Sequence, residues 1–165
     1  MSDNGTSPQS TDSPEEAKQR VELLWRDMRN RAEKIAEEEP GLRALLKEVI
    51  LDQGSLSAAL GVRLARKLAR QDSPLENLVP LLAGLLKENP VLVERASDDL
   101  EAILKRDPAC NSTLEPLMYY KGFFAITTYR IANHLWHESR RAMALYLQSL
   151  GSEVFGVDIH PAASI

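Results

Sequence analysis

Apolar residues recur at three- and four-residue intervals along most of the chain. Ala17, Val21, Leu24, Met28, Ala32 and Ile35 make one stripe, the spacing that lines one face of an α-helix. Its start is written in Ser13-Pro14-Glu15-Glu16. Ser13 can accept from first-turn amides, Pro14 fits the first helical position, and Glu16 completes a capping box. Glu39-Pro40-Gly41 ends the helix. A second helix is predicted from about Leu42 to Asp52, stopping near Gly54. Ser55 caps a third, with Leu56, Ala59, Leu60, Leu64 and Leu68 on one face. Ser73-Pro74 opens a further apolar segment, and Pro80 should start or kink the helix that reaches Glu88. After Asn89-Pro90, Leu92, Ala96, Leu100, Ile103 and Leu104 share a face. Ser97 is a candidate break within it, since Asp98 and Asp99 suit the positive end of a new helix. Arg106-Asp107-Pro108 closes this segment. Asn111 to Pro116 reads as a loop, and Leu117 to Leu150 as helical with bends at Gly122 and Ser139.

The pattern changes after Gly151. Phe155, Val157 and Ile159 alternate with period two, which predicts a short strand. Ile159 and Ile165 stand six residues apart with small Ala163 between them, a spacing that fits one hexapeptide of a β-helix. An ordinary edge strand accounts for a single period equally well. The predicted fold is therefore mainly α. A disordered polar tail occupies residues 1–12, a helical bundle 13–150, and the first strand or strands of a β-helix 151–165.

A length of 165 residues bounds the chain to one full-sized domain. A net charge of -4 argues against a dedicated nucleic-acid binder. The basic residues of the first helix, among them Lys18, Arg26 and Arg31, alternate with acids and read as a solvated face. The single Cys110 excludes an internal disulfide. No apolar run reaches the ~18 residues of a transmembrane helix. The polar, acidic N-terminus lacks a signal peptide's features, so the expected compartment is the cytoplasm. Aromatic residues are uneven: only Trp25 precedes Tyr119, and the other eight lie between Tyr119 and Phe155.

Few side chains carry chemistry on their own. Asp107 before Pro108 is, taken alone, a turn residue. Asp158 points opposite to Val157 and Ile159 if the strand forms. His134 and His137 share a helix beside Glu138, but no third ligand stands at a sensible spacing for a metal. Cys110 has no activating neighbour in sequence and reads as a packed thiol. Ser149 and Ser152 lack a nucleophile-elbow context. Asn111-Ser112-Thr113 matches a glycosylation acceptor with no secretion signal to give it meaning. No glycine-rich phosphate loop is present.

Several segments occur together and in order: Arg106-Asp107-Pro108-Ala109, Tyr120-Lys121-Gly122-Phe123, Tyr129-Arg130-Ile131-Ala132, Leu135-Trp136, Arg140-Arg141-Ala142 and Val154 to Ala163. This set resembles the bacterial serine acetyltransferases, most densely over residues 105–165. The resemblance implies transfer of acetyl from acetyl-CoA to the hydroxyl of L-serine, in cysteine biosynthesis. Acetyl-CoA is then a co-substrate, and no bound cofactor or metal is expected. A helical N-terminal domain assembling hexamers from two trimers is implied, followed by a left-handed parallel β-helix with active sites between subunits. The resemblance assigns Asp107 to the amino group of serine, or of the feedback inhibitor L-cysteine. It assigns Asp158 as partner of a catalytic histidine about one coil further on. That histidine, the CoA-binding coils and a C-terminal tail that docks O-acetylserine sulfhydrylase all fall past Ile165, so residues 1–165 alone are expected to be inactive. His160 is not the family's catalytic position, and a structural or hydrogen-bonding role is expected. Phe124 stands where many relatives are expected to carry histidine. The rival reading is a non-enzymatic helical oligomerisation module.

Overall fold

The computed structural model describes residues 13–165; the tail predicted over 1–12 lies outside them. Helix α1 (Pro14–Glu38) starts at the predicted capping box, with Glu16 N–H donating to Ser13 Oγ at 3.3 Å and Ser13 N–H to Glu16 Oε2 at 2.7 Å. The next helical stretch is irregular: a 3-10 turn at Pro40–Leu42, α2 (Arg43–Leu46) and a π turn at Lys47–Leu51. Ser55 caps α3 (Leu56–Leu68), its hydroxyl accepting from Ala58 N–H. Then come α4 (Leu75–Glu88), α5 (Pro90–Arg106), α6 (Leu114–Tyr119), α7 (Lys121–His137) and α8 (Arg141–Phe155).

Five expectations shift. Pro80 sits inside α4 rather than at its start, on an exposed position, where its ring supplies no N–H for the Glu76 carbonyl. Helix α5 runs unbroken through Ser97, because that buried hydroxyl bonds back to the Glu94 carbonyl at 2.8 Å instead of capping a new helix. Leu114 to Pro116 belong to α6 rather than a loop. Pro116 is tolerated in the first turn, where no intrahelical N–H bond is lost. Helix α8 extends to Phe155, five residues past the predicted end, because Phe155 stacks on Phe124 with centroids 6.0 Å apart. No strand forms among the described residues. The residues after Gly156 are held by α7 side chains instead, with Asn133 Nδ2 donating to Pro161 O at 2.8 Å.

Two antiparallel hairpins, α3–α4 and α7–α8, frame the bundle, with α1, α5 and α6 packed across them. The α3–α4 contact is close at Gly61, where an added Cβ would lie 2.7 Å from Ala83 Cα. Phe124, Met28, Leu64, Leu82 and Leu100 are among the large side chains buried completely in the continuous core. Arg63, also buried, donates to the Met118 carbonyl and lies over the Phe124 ring. Lys67 flanks the same ring. Burial, then repulsion from Arg66, holds the Arg63 guanidinium below its ordinary value. The turn into α8 passes through Ser139 in the left-handed region (φ 62°), with Arg140 N–H bonded to Leu135 O and Ser139 N–H to Trp136 O. This is the six-to-one and five-to-two pair of a Schellman motif, without its usual glycine.

Candidate functional site

Helix α5 stops at Asp107 because Pro108 has no N–H and forces the preceding residue into extended geometry; Asp107 has φ -95°, ψ 108°. Its side chain then organises the turn. Asp107 Oδ1 accepts from Ala109 N–H at 2.9 Å, and the Asp107 carbonyl accepts from Cys110 N–H at 3.1 Å. Both the turn reading and a ligand role remain compatible with this arrangement, because Oδ2 has no protein partner among the described residues. Asp107 is among the residues that line an open depression of about 710 Å³. Ala102, Ile103, Phe123 and Ile126 give it an apolar floor, and Asp99, Arg106 and Tyr120 join Asp107 as polar lining. The wall is braced by Arg130 of α7, which forms a two-point ion pair with Asp99 of α5.

Beneath the turn, buried Cys110 donates to the Ser112 carbonyl at 3.3 Å. Partly exposed Tyr120 has its phenol raised above the usual tyrosine value. Loss of solvation is the main cause, followed by its hydrogen bond with Cys110 and the proximity of Cys110, Asp107 and Glu115. Tyr120 therefore stays neutral beside the Asp107 turn at physiological pH.

Asp158 lies elsewhere. Gly156 ends α8 in the left-handed region (φ 69°), its N–H bonded to Ser152 O. Two residues later the exposed Asp158 carboxylate accepts from the side-chain amide of Gln148 on α8. No described contact or depression joins it to Asp107. His160 takes a hydrogen-bonding place: its Nδ1 accepts from Ala162 N–H at 3.1 Å, and its ring meets Trp136 edge-on. The accepting Nδ1 puts the proton of the neutral ring on Nε2. His134 Nε2 lies 3.2 Å from Glu138 Oε1, and His137 Nδ1 lies 2.8 Å from Asn133 O. Among the described residues no three His, Cys, Asp or Glu side chains group to hold a metal ion, and no helix is long and apolar enough to cross a membrane. Ser149 and Ser152 remain within α8.

Sequence reasoning passed over Gln148, Tyr129 and Asn133, which touch Asp158 or the segment that follows it. A signal was present in α7: Tyr129, Asn133 and Trp136 lie at i, i+4 and i+7 and so share one face.

The sequence pattern described as "Serine acetyltransferase, N-terminal" matches residues 24–128. The chain is 41% identical to the serine acetyltransferase of Haemophilus influenzae over 142 residues, covering 86% of this chain and 53% of that relative. A solved serine acetyltransferase in complex with CoA superposes with a TM-score of 0.84 at 40% identity, over 87% of this chain and 61% of the other. Soybean serine acetyltransferase complexed with serine gives 0.82 at 38% identity, over 87% and 59%. The chain spans about half the length of the curated relatives it matches. Its pattern, its sequence and its helical fold agree: the chain belongs to the serine acetyltransferase family.

Proposed function

We propose that this chain is the N-terminal part of a serine O-acetyltransferase, which moves acetyl from acetyl-CoA to the hydroxyl of L-serine. The observation that carries the reading is the Asp107 turn. One carboxylate oxygen is committed to Ala109 N–H, the other has no partner among the described residues, and Asp107 lines an open depression. A carboxylate so held is suited to an ammonium group, and the same contact would serve L-cysteine as feedback inhibitor. Asp158 orients the histidine expected one coil further on. That histidine takes the serine hydroxyl proton as the oxygen attacks the thioester carbonyl. Collapse of the tetrahedral intermediate releases the CoA sulfur, which is protonated in turn. Asp107 and Asp158 lie apart within one chain, which accords with active sites assembled between neighbouring subunits.

Self-association into hexamers, as two trimers, is part of the proposal. Leu23 and Val91 are exposed, and an apolar cleft of about 750 Å³ opens among α1, α3, α4 and α5 beside Trp25 and Val93. Docking of O-acetylserine sulfhydrylase belongs to the family's C-terminal tail, and the compartment proposed is the cytoplasm.

The test is steady-state acetyl transfer by the protein extended to the family's full length. Asp107→Asn should raise KM for serine and weaken inhibition by cysteine. Asp158→Asn should lower kcat, by up to the ~10²–10⁴-fold typical of general-base contributions, with little change in KM. Residues 1–165 alone should show no turnover. Normal kcat in Asp158→Asn would return Asp158 to a solvent-facing strand role. Absence of transfer by the full-length wild-type protein would favour the oligomerisation module.

A further inference from the structure

Asp158 hangs between two fixed points. On one side, α8 ends at Gly156. On the other, the turn at residues 160–163 is seated on α7. Asn133 Nδ2 donates to Pro161 O at 2.8 Å and to Ala163 O at 3.2 Å, so both N–H bonds of one amide are used. The Tyr129 hydroxyl donates to the same Ala163 carbonyl. One helical turn on, Trp136 meets the His160 ring edge-on, with centroids 5.0 Å apart. Pro161 is buried, and Ala163 N–H closes the turn onto His160 O at 2.9 Å. Only Val157, Asp158 and Ile159 separate Gly156 from this turn, a reach of about 14 Å from Gly156 to His160 even when fully extended. So short a span, pinned at both ends, leaves the backbone little freedom to swing the carboxylate away from Gln148.

We propose that Asn133 and Tyr129 are positioning residues for Asp158. They clamp the two carbonyls beyond it onto α7, so that the helical domain sets where this carboxylate stands. The relevance to catalysis rests on the role proposed for Asp158 above; the clamp itself does not. Neither residue is expected to touch substrate. Their effect on the reaction runs through Asp158.

The side-chain amide of Gln148 reports on Asp158 directly, and its ¹H–¹⁵N resonances are measurable in this chain. Asp158→Ala gives the reference for a lost contact. Asn133→Ala should move the Gln148 amide resonances toward that reference. Tyr129→Phe, which keeps the packed ring and removes only the hydroxyl, should move them part of the way. Unchanged Gln148 resonances in both variants, with the rest of the spectrum native, would overturn the proposal. In the full-length family protein, Asn133→Ala should lower kcat ~10- to 100-fold, the scale set by misplacing a group by about 1 Å. KM for serine should change by no more than about twofold, because Asp107 lines a depression to which neither Asn133 nor Asp158 contributes. An unchanged kcat in Asn133→Ala, where Asp158→Asn does lower it, also overturns the positioning role. If Asp158→Asn is itself neutral, the failure belongs to the catalytic assignment of Asp158, and the Gln148 resonances alone decide the clamp.

Discussion

Substituting Gly61 by alanine should destabilise the protein, although alanine is the better helix former. Gly61 lies inside α3, where replacing glycine with alanine is worth about 1 kcal/mol on propensity alone. The added Cβ would meet Ala83 Cα at 2.7 Å, Ala83 N at 2.8 Å and Ala83 Cβ at 3.0 Å. Carbon atoms prefer roughly 3.5 Å or more, so α3 and α4 must part by about 0.8 Å. That movement loosens the packing around Leu60, Leu64 and Leu82, all buried completely or nearly so. Overpacking of this kind costs about 1–3 kcal/mol, and backbone contact puts the site at or above the upper end. After the propensity gain, the net loss should be about 2 kcal/mol or more, with Tm falling by roughly 2–4 °C for each kcal/mol. Urea unfolding followed by circular dichroism measures it as a lower midpoint at unchanged slope. Gly84 supplies the opposite sign. It lies in α4 with nothing within 4 Å of an added Cβ, so Gly84→Ala should stabilise by up to about 1 kcal/mol. Adding Ala83→Gly to Gly61→Ala should restore little, since the shortest contacts are with backbone. A Gly61→Ala variant as stable as wild type would refute the close approach of α3 and α4.

Ser13→Ala should cost about 1 kcal/mol of stability in chemical unfolding, because it removes the N-cap of α1. The Ser13 backbone and hydroxyl hold the Glu16 carboxyl below its ordinary value. Since the folded value is the lower one, the stability Glu16 contributes is complete above the unfolded value and is lost as pH falls through the folded one. Glu16→Gln removes this titrating carboxyl, whose main partner is the Ser13 backbone N–H, and should therefore flatten the acid limb of the stability profile; an identical slope would exclude the capping box as its source. Ser139→Gly should stabilise by about 1 kcal/mol, as it relieves a left-handed conformation that costs L-residues roughly 1–2 kcal/mol. A lowered Tm in that variant would mean that the serine side chain contributes more than its backbone conformation costs.

The amino-acid sequence by itself determined where most helices begin and end. Ser13, Ser55, Pro90 and Pro108 act on backbone groups within about four residues, so their effect needs no tertiary partner. It also carried the motifs around Asp107 and Asp158, and with them the family, although one chain's residues alone do not bring those two carboxylates together. Tertiary structure decided what depends on distant neighbours. Ser97 continues α5 because it is buried and its hydroxyl is satisfied within the helix. Phe155 stays helical, despite a period-two pattern around it, because it stacks on Phe124, far away in sequence. Leu114 and Leu117 turn a polar-looking connection into α6 by burying their side chains in the core. The segment after Gly156 is held by Asn133 and Tyr129 rather than by a strand ladder. Hydrogen bonds across about thirty residues, like the contact of Gly61 with Ala83, exist only once the helices have packed, so no local periodicity encodes them.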